Sequence, residues 1–346
     1  MGAEADLAAL EDGKPLFAVL GAGSWGTALS MQLIRSGCGV VLWDWDRKHI
    51  NAIARTRCNE KFLPDFPLPD GLRIEPELEA AVRQAEEILI VVPSHAFVGI
   101  LEQIKPWLRP GQGIAWACKG LEPGTGQFLH EPALKIFGAE RALAVVTGPS
   151  FAIEVAANLP TAVTVARTEP EYCERIARAL HGGNFRAYTS DDIIGAELGG
   201  SVKNVLAVAT GICDGMGLGY NARAALITRG LAEMTRLGVA LGAEKATFSG
   251  LAGMGDLVLT CTGSLSRNRT VGYRLGQGES LSEILADMKA VAEGVKTAEA
   301  VHALARRHRV EMPIAEQVYA IVHEGRKPAE ALQALMLRDP KPEEWS

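Results

Sequence analysis

The stretch GGSVKNVLAVATG (199–211) is small or aliphatic throughout except for Lys203 and Asn204. A buried ammonium is costly unless it loses its proton, meets a counter-charge or lays its stem along apolar surface and reaches water. Failing these, Lys203 is suited to acid–base work on an oxygen. Other polar groups stand where a parallel sheet would turn them toward a ligand. Lys119 closes CKG (118–120), and Ser150 lies in TGPSFA (147–152). Asp256 follows the glycines of GLAGMGDLVLTCTG (250–263), and SLSRNRTVG (264–272) offers Ser266, Arg267, Asn268 and Arg269. Asp256 and Ser266 are equally good helix N-caps, and Lys119 alone reads as a surface lysine. Arginines at a helix start oppose its partial positive charge, which makes sense where a phosphate sits between them.

The elements that must position these groups fall into two patterns. Short apolar runs at 15–20, 39–44, 86–93, 113–120, 142–148 and 161–166 read as strands, with helical spacing at 26–36, 96–108 and 170–181 between them. Apolar strands alternating with helices predict a parallel sheet covered on both faces. After about residue 190, alanine- and leucine-rich helical segments take over at 191–213, 221–241, 294–308 and 313–324. The expected fold is therefore α/β: an N-terminal Rossmann-type, doubly wound, mostly parallel sheet plus an all-helical C-terminal domain. Residues 1–14 read as a flexible extension, 15–190 as the dinucleotide-binding domain and 191–346 as the substrate-binding and catalytic domain.

GAGSWG (21–26) follows the first strand and opens a helix, the context in which such a match carries weight. Gly21 permits the tight turn, Gly23 lets backbone approach a pyrophosphate, and Gly26 lets helix and strand pack closely. The freed N–H groups of the helix start favour an anion. An acid is expected about 20 residues later, at the end of the second strand, and Asp44 stands there. The residues after it conflict. Asp44 favours NAD, whereas Arg47 and Lys48 could hold a 2′-phosphate.

With 346 residues, 48% hydrophobic and 22% charged, the chain has material for two cores. A net charge of −6 disfavours non-specific binding to nucleic acid. The six cysteines show no paired spacing and the seven histidines no ligand spacing, so neither a disulfide framework nor a metal site is expected. The acidic start MGAEADLAALEDGK is no signal peptide, and no run approaches the roughly 18 apolar residues of a membrane span. A cytosolic location is expected.

GAGSWGTAL, LPD (63–65), VVPSH (91–95), KGLE (119–122), TGPSFA, GGSVKNV, NARAALITRGLAEM (221–234), GLAGMGDLVLTCT and SRNR together resemble the bacterial NAD(P)-dependent glycerol-3-phosphate dehydrogenases. The likeness runs in order from about residue 16 to residue 325. It implies reversible reduction of dihydroxyacetone phosphate to sn-glycerol 3-phosphate for phospholipid synthesis, by a cytoplasmic homodimer using NAD or NADP. Position by position it implies cofactor contacts at Ser24, Trp25, Trp45, Ala152, Val291 and Glu293, beside Gly21, Gly23 and Gly26. Lys119 would touch cofactor and substrate. Gly148, Ser150, Asp256, Ser266, Arg267 and Asn268 would line the substrate, with Arg267 also near the cofactor. Lys203 would be the catalytic lysine, with Asp256 as its carboxylate. Trp45 stands where relatives often carry a basic residue. Two rivals share parts of this pattern: a two-domain dehydrogenase of the 6-phosphogluconate or hydroxyacid type, and a non-catalytic nucleotide sensor. The SRNR and GMGDL segments weigh against the first, and the sensor needs no Lys203, Asp256 and Arg267.

Overall fold

The computed structural model describes residues 14–122, 125–288, 292–340 and 343. Among the described residues ten strands lie in the N-terminal part: β1 (Leu16–Leu20), β2 (Gly39–Trp43), β3 (Cys58–Asn59), β4 (Leu63–Pro67), β5 (Leu72–Ile74), β6 (Glu87–Ile90), β7 (Gly113–Trp116), β8 (Leu143–Thr147), β9 (Thr161–Arg167) and β10 (Phe185–Ser190). Eight form one sheet in the order β10-β9-β8-β7-β6-β1-β2-β5, and β3 and β4 pair separately. All neighbours in the large sheet run parallel except β8 and β9.

Period-two geometry divides each central strand between two cores. Phe17 and Val19 face one apolar cluster with Val40, Leu42, Leu89 and Val146. Leu16, Ala18 and Leu20 face the other with Val41, Ile88, Ile90 and Trp116. Burial on both faces explains why the central strands read as unbroken apolar runs. The two edge strands escape that reading. FRAYTS of β10 alternates, with only Phe185 fully buried, and LRI of β5 has three residues. Edges are commonly short or polar, which limits pairing with other chains.

β1 has β2 on one side and β6 on the other, so the winding reverses at β1. Ligands of such sheets bind beyond the carboxyl ends of the strands at that switch point.

The chain divides into two compact units. One runs to Gly200 and includes Ala243–Asp256; the other comprises Ser201–Gly242 and the residues from Leu257 on. The first unit holds the sheet. Among the described residues the second is helical throughout, with helices including Gly219–Ala240, Arg267–Gly276, Glu293–His308 and Pro313–Glu324. The division falls within the helix Ile193–Gly215. No helix among the described residues is long and apolar enough to cross a membrane.

Candidate active site

In the first unit the glycine turn joins β1 to the helix Ser24–Arg35. Gly21 has φ +122°, and a Cβ there would lie 2.3 Å from the Val91 carbonyl oxygen. A Cβ on Gly26 would lie 1.8 Å from the Gly21 oxygen, so helix and turn touch backbone to backbone. A Cβ on Gly23 meets nothing within 4 Å. The turn is thus closed below and open above, as a pyrophosphate requires. Trp25 contributes a buried indole Nε1 without a partner. These features fit a bound dinucleotide. Ser24 and Trp25 open the helix, and Ala152 opens the helix Ala152–Ala156.

Asp44 turns both carboxylate oxygens to backbone N–H groups. It is 7% exposed; its Oδ2 accepts the Ala22 N–H at 2.7 Å and its Oδ1 the Asp46 N–H at 3.0 Å. Trp45, next in sequence, is 78% exposed. Arg47 pairs with Glu77 at the surface.

Lys119 lies three residues beyond the end of β7 and is no surface lysine. Its Nζ donates to the Gly148 carbonyl at 3.0 Å and to Asp256 Oδ2 at 3.0 Å. The Ser150 hydroxyl donates to the same Gly148 oxygen at 3.0 Å. Lys119, Gly148, Ser150 and Asp256, dispersed over 138 positions, therefore form one cluster. Asp256 reaches it through a π-helical turn, Leu251–Gly255, in which the Gly255 N–H bonds back to Gly250 at 3.0 Å. Such turns are rare and often occur at functional sites. Asp256 then opens the helix Asp256–Thr262, whose dipole favours an acid.

In the second unit Lys203 is 5% exposed among Val202, Val205 and Leu206, all buried. Ser266 is the N-cap of the helix Arg267–Gly276, accepting the Arg269 N–H. The Asn268 amide is a brace: its Nδ2 donates to Asn204 Oδ1 at 2.9 Å, and its Oδ1 accepts the Gly294 N–H at 2.9 Å. The two arginines part company. Arg269 donates to Asp214 at 2.6 and 3.0 Å, beside Arg223 on the same carboxylate. Its charge is matched internally, which removes it from the phosphate-binding pair that the sequence offered. Arg267 is exposed and has no carboxylate partner among the described residues. Glu293 opens the helix Glu293–His308, and Val291 lies outside the described residues.

Sequence reasoning missed several groups of the first unit. Asn59 and His49 both contact the glycine turn at the Ala22 carbonyl. Glu197 accepts from Trp116 Nε1 and from the His130 backbone, and its second oxygen meets His130 Nδ1. Burial opposes charge on His130, but the Glu197 carboxylate prevails and holds the imidazole above its ordinary value; burial pushes Glu197 upward too. No spacing rule joins residues 67 positions apart, so no sequence signal pointed to this pair.

Both halves match models of one family. Residues 17–173 match the NAD-dependent glycerol-3-phosphate dehydrogenase N-terminus and residues 192–333 its C-terminus. The chain belongs to the NAD-dependent glycerol-3-phosphate dehydrogenase family. It is 54% identical over 326 residues to glycerol-3-phosphate dehydrogenase [NAD(P)+] of Stenotrophomonas maltophilia, spanning 94% of this chain and 96% of that one. The corresponding enzyme of Xanthomonas euvesicatoria is 53% identical over 334 residues, 96% of this chain and 98% of that one. Among solved structures, glycerol-3-phosphate dehydrogenase from Coxiella burnetii superposes with a TM-score of 0.91 at 46% identity, covering 94% of this chain and 99% of that one. Membership excludes the 6-phosphogluconate-type rival, and the enzyme family displaces the nucleotide sensor.

Proposed function

We propose that this chain carries out its family's reaction, interconverting sn-glycerol 3-phosphate and dihydroxyacetone phosphate with NAD or NADP, and that Lys203 exchanges the proton. Bound nicotinamide supplies or accepts the hydride. Reduction at a ketone carbon leaves charge on its oxygen, and a donor must stand within hydrogen-bond reach of it. The carrying observation is the burial of Lys203, 5% exposed in an aliphatic helix wall. A lysine held in such a wall can stabilise charge on, and exchange a proton with, an oxygen brought against it.

Arg267 anchors the substrate phosphate, supported by its exposed guanidinium and by its place at a helix start with backbone N–H groups. Ser266 and Asn268 hold that helix start in position. In the other cluster Asp256 and Gly148 use two of the three Lys119 N–H donors, which leaves one for the substrate or cofactor. Residues 15–190 hold the dinucleotide and contribute Lys119, Gly148 and Ser150 to the substrate, and 191–346 supply the remaining substrate contacts and the proton. The same resemblance supports a cytoplasmic homodimer feeding phospholipid synthesis, which light scattering and fractionation test.

The direct assay follows NADH or NADPH absorbance with dihydroxyacetone phosphate. Lys203→Met is expected to retain nucleotide binding while kcat falls by at least about 10²-fold. A variant turning over near the wild-type rate removes Lys203 from the role. Absence of turnover with dihydroxyacetone phosphate in the parent enzyme removes the substrate.

A further inference from the structure

We propose that Asp44 is a positioning residue of the glycine turn and does not read the adenosine ribose, so that discrimination between NADH and NADPH rests on the exposed side chains after it. This inference rests on the glycine turn being the dinucleotide site.

The backbone on both sides of Ala22, between Gly21 and Gly23, is held by neighbouring groups. The Gly21 N–H donates to the Trp43 carbonyl at 2.8 Å. The Ala22 N–H donates to Asp44 Oδ2 at 2.7 Å. Its carbonyl accepts from Asn59 Nδ2 at 2.9 Å and from His49 Nε2 at 3.1 Å. Asn59, fully buried, uses the same nitrogen to reach Thr27 Oγ1 at 2.8 Å, on the helix that the turn opens. A carbonyl only accepts, so His49 presents Nε2 protonated. These three side chains come from the end of β2, the helix Arg47–Thr56 and β3.

A ribose reader must offer carboxylate oxygen to the ligand. Asp44 has both oxygens turned to backbone N–H groups and is 7% exposed. What faces solvent beyond it is Trp45, 78% exposed, with Arg47 and Lys48. Asp46 is occupied as the N-cap of the helix Arg47–Thr56, accepting the Lys48 and His49 N–H groups. None of Trp45, Arg47 and Lys48 repels a 2′-phosphate, and both Arg47, paired with Glu77 at the surface, and Lys48 are cationic. The turn, by contrast, has its backbone fixed before any ligand arrives, which is where pre-organisation raises affinity.

The test measures dissociation constants of NADH and NADPH for the whole enzyme at a temperature well below its melting point. Asp44→Asn is expected to weaken both by a similar factor, roughly tenfold, with their ratio unchanged within about threefold. His49→Leu is expected to weaken both in the same way, and His49→Gln, whose amide can still donate to Ala22, to restore most of the loss. Trp45→Arg is expected to move the ratio toward NADPH by about tenfold or more without loosening NADH. The proposal is overturned if Asp44→Asn weakens NADH alone and shifts the ratio more than tenfold. It also fails if His49→Leu and Asp44→Asn leave both affinities at the parent value. Gly23→Asp separates the premise from the proposal. Its side chain enters open space, so the fold persists, and loss of both nucleotides identifies the turn as their site; retained binding would place them elsewhere and overturn both.

Discussion

Glu233 makes the stability of the helical unit depend on pH in a direction that can be worked out in advance. It lies on the helix Gly219–Ala240, 2% exposed. Its carboxylate accepts the N–H of Ile314 at 2.7 Å and of Ala315 at 3.2 Å. Those groups open the helix Pro313–Glu324, whose own N-cap, Met312, has no side chain to offer. Burial pushes the Glu233 carboxyl from its ordinary 4.5 up to about 7, against the pull of the two N–H donors and the Arg236 and Arg338 guanidinium groups. Below pH 4.5 both folded and unfolded chains hold the proton. Between 4.5 and 7 the unfolded chain has released it and the folded chain keeps it, so stability falls as pH rises. Above 7 the loss is complete. The interval from 4.5 to about 7 corresponds to about 3 kcal/mol. Glu233→Gln keeps a neutral side chain with one acceptor and cannot titrate. Urea unfolding of parent and variant at a series of pH values from 4.5 to 8 isolates this group, because every other titration cancels in the difference. The variant is expected to gain on the parent by ~3 kcal/mol across that range. A difference that stays constant, or that favours the parent as pH rises, refutes the reasoning. It would mean that the helix start holds the carboxylate ionised.

Arg267→Ala should leave the melting temperature within a degree or so while raising KM for dihydroxyacetone phosphate, since a charge-assisted contact is worth roughly 1.5–3 kcal/mol; an unchanged KM would put the phosphate elsewhere. Arg269→Ala should do the reverse on thermal melts, losing stability because Asp214, 13% exposed in its side chain, keeps only Arg223. Gly26→Ala should abolish nucleotide binding or folding, as its Cβ would meet the Gly21 oxygen at 1.8 Å; binding at the parent level would disprove the close contact. Both nicotinamide cofactors should support turnover with catalytic efficiencies within about a hundredfold of each other, about 2.7 kcal/mol, and a gap of several thousandfold would contradict the exposed Trp45, Arg47 and Lys48.

The sequence alone determined what is local. Apolar runs of β1, β2, β6, β7 and β8 are legible because burial on both faces confines polar residues to the strand ends, as at Glu87 and Thr147, and the run of β9 is broken inside only by Thr164. The helices Gly219–Ala240, Glu293–His308 and Pro313–Glu324 are legible from periodicity, and the glycine turn from three glycines at fixed spacing after a strand. The edge strands β5 and β10 were not, since an edge keeps one face polar and needs little length. Which polar side chain meets which was decided only in three dimensions. Asp44 looks like a ribose acid by spacing, and the fold gives its Oδ2 the Ala22 N–H, because the turn brings that N–H to the end of β2. Lys119 looks like a surface lysine and is held by Gly148 and Asp256, residues 29 and 137 positions away. Arg267 and Arg269 are alike in sequence, but only one of them finds Asp214. The physical reason is the same in each case: periodicity reports the burial of a residue within its own element, whereas a hydrogen bond between distant elements leaves no trace in either until the chain has brought them together.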